Sequence, residues 1–142
     1  ELIAAGTPDS ELSARFLRPE PRVTLGRSLQ AYATAAIDIS DGLFADLGKV
    51  LAASNVGAVI ELADLPLSDA LRKEFDTESQ RRLALSGGDD YELCFTLPAG
   101  SDLPASSVAL TRIGEVVAGD AVKCRLRGDL VEYADSGYRH FK

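Results

Sequence analysis

Thr34-Ala35-Ala36-Ile37-Asp38-Ile39-Ser40-Asp41-Gly42-Leu43-Phe44-Ala45-Asp46-Leu47 changes hydrophobic period in its middle, and that change sets the fold class. Thr34 to Ile39 reads as a buried strand. From Leu43 onward, Leu43, Leu47, Val50 and Leu51 recur at i, i+4, i+7 and i+8, the apolar stripe of a helix facing a core. Asp38, Ser40 and Asp41 therefore occupy a tight turn between a strand's C-terminal end and a helix's N-terminus. A second strand, Ala58 to Leu62, follows the helix, and this strand–helix–strand order favours a parallel crossover.

Two carboxylates and a hydroxyl in such a turn suit a metal and a phosphate. Helix N-termini present backbone N–H groups and the positive end of a dipole to anions. Mg²⁺ takes hard oxygen ligands, commonly one or two carboxylates together with the phosphates of its substrate. Asp38 and Asp41 are the candidate metal ligands and Ser40 the candidate phosphate contact. The competing reading is that Ser40 or Asp41 only caps the helix.

A second constellation follows about fifty residues later: Ser86-Gly87-Gly88-Asp89-Asp90-Tyr91-Glu92-Leu93-Cys94-Phe95-Thr96. It places adjacent acids after two glycines, which let backbone approach a ligand closely but also simply make turns. It is no P-loop, since no Gly-Lys-Ser/Thr follows, and the chain holds no dinucleotide fingerprint.

Together with Leu17-Arg-Pro-Glu-Pro-Arg22 and Gly137-Tyr-Arg-His-Phe141, these segments resemble, in order, the C-terminal half of the thiamine-monophosphate kinase family. That family lies in a superfamily with aminoimidazole ribonucleotide synthetase, selenophosphate synthetase and a hydrogenase maturation factor. The resemblance implies ATP as co-substrate, Mg²⁺ as cofactor, and transfer of the γ-phosphoryl group to thiamine monophosphate, giving thiamine diphosphate. It also implies Asp38 and Asp41 on Mg²⁺, Ser40 on a nucleotide phosphate, and Asp89 and Tyr138 on the thiamine substrate. The family commonly has Glu where this chain has Asp89, one methylene shorter, so the contact can need a bridging water. Tyr138 could alternatively anchor the C-terminus on the core. Asp46 and Asp90 are second-choice acids, and no nucleophile or general base stands out.

The resemblance further implies an upstream domain with more acidic ligands and a homodimer of the full-length protein. The first residue, Glu1, reads as the end of a helix begun elsewhere. Residues 1–24 are expected to be a linker or the end of that domain, and 25–142 the ATP- and substrate-binding domain. Alone, the chain is expected to fold without turning over. The rival readings are another ATP-using enzyme of the superfamily, such as a hydrogenase maturation factor, and a non-catalytic ligand-binding domain.

The composition of the 142 residues fits a self-sufficient core: 46% are hydrophobic and mean hydropathy is near zero. A net charge of −7 argues against nucleic acid and anionic membranes as partners. It remains compatible with a polyphosphate bridged by divalent cations. No apolar run is long enough for a membrane span and no signal peptide opens the chain, which together point to the cytoplasm. Cys94 and Cys124 form no zinc or redox motif and read as buried free thiols.

The expected fold is α/β of the mixed α+β kind, a mixed sheet of about four to six strands flanked by helices. It should resemble the C-terminal domain of aminoimidazole ribonucleotide synthetase-related proteins and be partly ferredoxin-like. Asp9 or Ser10 begins a short helix through Arg18, stopped by Pro19 and Pro21. Leu25, Leu29 and Tyr32 mark another. Ser68 or Asp69 caps a helix through Phe75, and Thr77 starts one through Leu85. Strands are predicted at 91–97, 111–117 and 121–126, with Gly128-Asp129 turning into 130–133. In 121–126 the apolar residues alternate with Lys123 and Arg125, a row continued by Arg127 that reads as a solvated face.

Overall fold

A computed structural model describes residues 11–133. The capping role of Asp9 or Ser10 and the substrate role of Tyr138 concern residues outside that range. Helix α1 spans Glu11–Leu17 and α2 Val23–Leu29. Strand β1 (Ala35–Asp38) leads through the acidic turn into α3 (Leu43–Ser54), β2 (Gly57–Glu61) and a 3-10 turn at Leu62–Asp64. Helices α4 (Asp69–Glu74) and α5 (Thr77–Ser86) precede β3 (Leu93–Thr96), β4 (Gly114–Val117), β5 (Val122–Leu126) and β6 (Asp129–Val131).

The helix ends obey local chemistry. Ser68 accepts from the Leu71 N–H to cap α4, and Asp76 accepts from the Glu78 and Ser79 N–H groups to cap α5. Helix α3 ends on Asn55, which adopts a left-handed conformation at φ 53°. Tyr32 falls outside α2 and is exposed, so only Leu25 and Leu29 of the expected stripe are buried there.

The strands form two sheets. One is a mixed four-stranded sheet in the order β4-β2-β5-β6, with β2 and β5 parallel and the other pairs antiparallel. The other is the antiparallel ribbon β1-β3. The crossover expected to make β1 and β2 parallel neighbours is therefore absent: the parallel neighbour of β2 is β5, and β1 pairs with β3 instead. Strand β1 is correspondingly half-exposed rather than buried. The β5–β6 hairpin also turns one residue earlier than expected. Arg127 (φ 53°) and Gly128 (φ 96°) are its two central residues, while Asp129 already pairs with Leu126.

The core lies between the four-stranded sheet and helices α3 and α5. Leu43, Leu47 and Leu51 of α3 meet Ala58 and Ile60 of β2, Cys124 of β5 and Leu85 of α5. Each buried leucine contributes about 1.5 to 3 kcal/mol through lost contact with water. Phe44 and Tyr133 pack as a tilted pair with ring centroids 5.3 Å apart. On the opposite face of the sheet Lys123 is exposed and Arg125 half-exposed, so the alternation read from the sequence is present. Both cysteines are free thiols, Cys124 buried and Cys94 half-buried.

Candidate functional site

Pairing of β1 with β3 carries a consequence for the two acidic constellations. The ladder runs past Asp38 and Leu93: Ile39 N–H donates to the Glu92 carbonyl, Tyr91 N–H to the Ile39 carbonyl, and Asp89 N–H to the Ser40 carbonyl, each at 2.9 Å. The turn at 38–42 and the loop at 86–92 therefore lie side by side. Two glycines permit this approach. A Cβ on Gly88 would stand 2.6 Å from the Ser40 carbonyl oxygen, and one on Gly42 would meet the Ser86 backbone at 3.0 Å. Gly42 also adopts φ 118°, a conformation that side chains disfavour.

Neither Ser40 nor Asp41 caps α3. The N-cap position is Gly42, which has no side-chain cap. Asp46 instead reaches backward from the first turn of the helix, its Oδ2 accepting from Ser40 N–H at 2.8 Å and Asp41 N–H at 2.9 Å. The two N–H groups expected to face an anion are thus satisfied within the turn. Asp46 is 1% exposed, and its Oδ1 accepts from the Lys49 ammonium at 2.6 Å. The same ammonium pairs with Asp41 Oδ2. Burial alone would raise the Asp46 carboxyl, but the bonds from Lys49, Asp41 and Ser40 outweigh it and hold it below the usual carboxylate range.

The second loop adopts left-handed backbone in two places, Asp89 (φ 63°) and Tyr91 (φ 52°). Aspartate tolerates this region, whereas a bulky tyrosine there costs about 1 to 3 kcal/mol. The Asp89 carboxylate accepts from the Tyr91 hydroxyl at 3.3 Å. Asp90 is pushed up to about 6 by burial and then by the like charge of Glu92. Because the residue as a whole is exposed, water weakens the burial part and leaves the neighbouring acids as the firmer cause.

Glu92 ties the loop to the chain's entrance segment. Arg22 grips it bidentately, Nε to Oε2 at 2.8 Å and Nη2 to Oε1 at 2.7 Å, and Arg15 adds a bond of 2.6 Å. The Arg22 hydrogen bond, against the cost of burial, keeps the Glu92 carboxyl below its ordinary value. Both Asp46 and Glu92 thus have folded-state values lower than unfolded ones. Their stabilisation is complete above the ordinary carboxylate range, near pH 4, and is lost as pH falls through their folded values. Thermal unfolding followed from pH 7 to pH 3 should show this loss, and Glu92→Gln should lower Tm at pH 7 while making the acid limb shallower. An unchanged acid limb would contradict the assignment.

Among the described residues, no three acidic, histidine or cysteine side chains converge on one point. Mg²⁺ does not require three, since it commonly takes one or two carboxylates with substrate phosphates and waters. Asp38, exposed at the end of β1, and Asp41, beside it in the turn, match that donor set. The Lys49 ammonium held on Asp41 already places a positive charge there. An open groove of about 260 Å³ is lined by Asp38, Tyr91 and Leu93 together with Val23 and Gly26 of α2.

The structure gathers the expected site residues Asp38, Ser40, Asp41 and Asp89 into two adjoining loops. Sequence reasoning placed Asp46 second, although an acid on the same helical stripe as Leu43 and Leu47 must find buried partners. Lys49 was missed, and it lies three residues from Asp46. Arg22 and Glu92, seventy residues apart, gave no local signal.

No family model matches the chain. Curated relatives do. Over 138 residues it is 46% identical to a thiamine-monophosphate kinase of Escherichia coli K12, covering 92% of this chain and 42% of that protein. A relative of the same name from Haemophilus influenzae is 42% identical, covering 98% of this chain and 45% of the other. The chain thus spans less than half the length of these curated relatives.

Among solved structures, thiamine monophosphate kinase from Aquifex aeolicus superposes with TM-score 0.77 at 34% identity, covering 93% of this chain and 46% of that one. The structure of AaThiL complexed with AMPPCP and TMP superposes with TM-score 0.81 at 35% identity, covering 99% and 46%.

Proposed function

The chain is a relative of the thiamine-monophosphate kinases, corresponding to their C-terminal part, and from that premise we propose that it serves ATP-dependent phosphorylation of thiamine monophosphate to thiamine diphosphate. The observation that carries this reading is the interlock of the two loops through Asp89 N–H and the Ser40 carbonyl. It brings Ser40, assigned to nucleotide, and Asp89, assigned to the acceptor, into one neighbourhood. The relative complexed with AMPPCP and TMP supports the same pair of ligands, a non-hydrolysable ATP analogue and a phosphorylated acceptor.

In this reading Asp38 and Asp41 hold Mg²⁺, which when bound neutralises charge on the transferring phosphates. The Ser40 hydroxyl positions a nucleotide phosphate. Asp89 and Tyr138 face the thiamine substrate, with the Tyr138 ring against its cationic or electron-poor rings, a contact worth roughly 0.5 to 2 kcal/mol. Phosphoryl transfer depends on in-line positioning and charge stabilisation more than on covalent chemistry, so none of these residues need act as a nucleophile. Residues 25–142 form the ligand-binding domain and 1–24 a linker or the end of the upstream domain, and the rest of the site lies in sequence that the relatives have beyond this match. A homodimer of the full-length protein in the cytoplasm completes the proposal. No helix among the described residues is long and apolar enough to cross a membrane.

Steady-state kinetics with each substrate varied in turn test the assignments. Ser40→Ala should raise the apparent KM for ATP more than that for thiamine monophosphate. Asp89→Ala and Tyr138→Ala should do the reverse, while Tyr138→Phe should be mild. Lost ground-state contacts appear in the KM of the substrate concerned when chemistry is slow relative to dissociation. If the Asp89 and Tyr138 variants disturbed ATP alone, their placement would be wrong. Failure of the full-length protein to form thiamine diphosphate would remove the proposal itself.

A further inference from the structure

Lys49 lies against the acidic turn and has no role among the residues assigned to metal, nucleotide or acceptor. Its ammonium touches Asp41 Oδ2 and, at 2.6 Å, Asp46 Oδ1. The two carboxylates are not equivalent. Asp46 is buried, and both its oxygens are engaged, Oδ2 by two backbone N–H groups and Oδ1 by Lys49. Asp41 keeps 26% of its side chain exposed and Lys49 keeps 53%. The ammonium therefore has one fixed anchor on Asp46 and one contact on Asp41 that water, or another cation, can reach. A carboxylate cannot give its full charge to a divalent ion while an ammonium remains hydrogen-bonded to it.

We propose that Lys49 is a positioning residue that serves as the resident counterion of Asp41. Its ammonium holds the Asp41 carboxylate in place before a divalent cation arrives and yields that contact to the cation. Afterwards it stays tethered to Asp46, and its positive charge remains available to the incoming phosphates. Asp38, Asp41 and Asp46 place three carboxylates within nine residues, and Lys49 pairs with two of them. The inference rests on the assignment of Asp41 to Mg²⁺ and adds a competition that the assignment alone does not contain.

Mn²⁺ titration followed by electron paramagnetic resonance separates the two ideas, using the full-length protein without nucleotide and then with AMPPCP. Lys49→Gln removes the competing ammonium and should tighten Mn²⁺ binding in the absence of nucleotide by about two- to fivefold, the scale of an exposed ion pair. The same variant should bind AMPPCP several-fold more weakly. Lys49→Arg keeps the charge and should remain near wild type in both. A merely structural role for Lys49 would not tighten metal binding. Unchanged or weaker Mn²⁺ affinity in Lys49→Gln, with Asp41→Asn losing Mn²⁺, would overturn the counterion role alone. Mn²⁺ binding unaffected by Asp41→Asn would overturn the metal assignment and the counterion role with it.

Discussion

Asp41→Asn is expected to lower turnover of the full-length protein by roughly 100-fold or more, the scale seen when a positioned charge stabiliser is removed from a transition state. Asp38→Asn should behave similarly. The amide nearly matches the carboxylate in volume and keeps hydrogen bonding, but it removes the charge that a hard cation needs. Residual activity should therefore require more Mg²⁺. The fold should survive both changes, because Asp38 is exposed and the shape of the turn is held by Asp46 through the Ser40 and Asp41 N–H groups. Wild-type rates and Mg²⁺ dependence in both variants would show that the carboxylates have no metal role.

Leu47→Ala should fail in the opposite way. Leu47 is 6% exposed and packs in the core shared by α3, α5 and the four-stranded sheet. Truncation there removes buried methyl groups and leaves a cavity, at a cost of about 2 to 5 kcal/mol. That is a large share of a domain's usual net stability. Denaturant unfolding should report the loss directly, and activity at low temperature should fall only in proportion to the unfolded fraction. Mg²⁺ dependence should stay unchanged. A Leu47→Ala protein of normal stability would mean that the α3 stripe is not the core element described above.

The α3 stripe was legible because its period is local, and Leu43, Leu47 and Leu51 are all buried. The cap at Ser68 was legible for the same reason, since it depends on neighbours within a few residues. Strand partnership was not. Nothing within 34–62 distinguishes a β1 that pairs with β2 from one that pairs with β3, because the choice is made by backbone hydrogen bonds to residues 92–96. The turn at Arg127-Gly128 slipped by one residue because Gly128 also fits the first position of a two-residue loop.

The site divides along the same line. Asp38, Ser40 and Asp41 stand out in a short window, and family resemblance adds Asp89 and Tyr138. The groups that hold the turn in shape are set by burial and by distance through space. Asp46 is informative only once its side chain is known to point inward, and the Arg22–Glu92 grip joins segments that no local pattern connects.

Whether the two loops form a single metal and phosphate site is measured directly by paramagnetic relaxation. Mn²⁺ added with AMPPCP to the isotopically labelled protein should broaden the amide signals of Ile39 to Gly42 and of Gly88 to Asp90 together, at the same Mn²⁺ concentration, and Asp41→Asn should abolish both effects. Broadening confined to the outer face of the four-stranded sheet, around Glu61 and Arg125, or found at only one of the two loops, would contradict a single site.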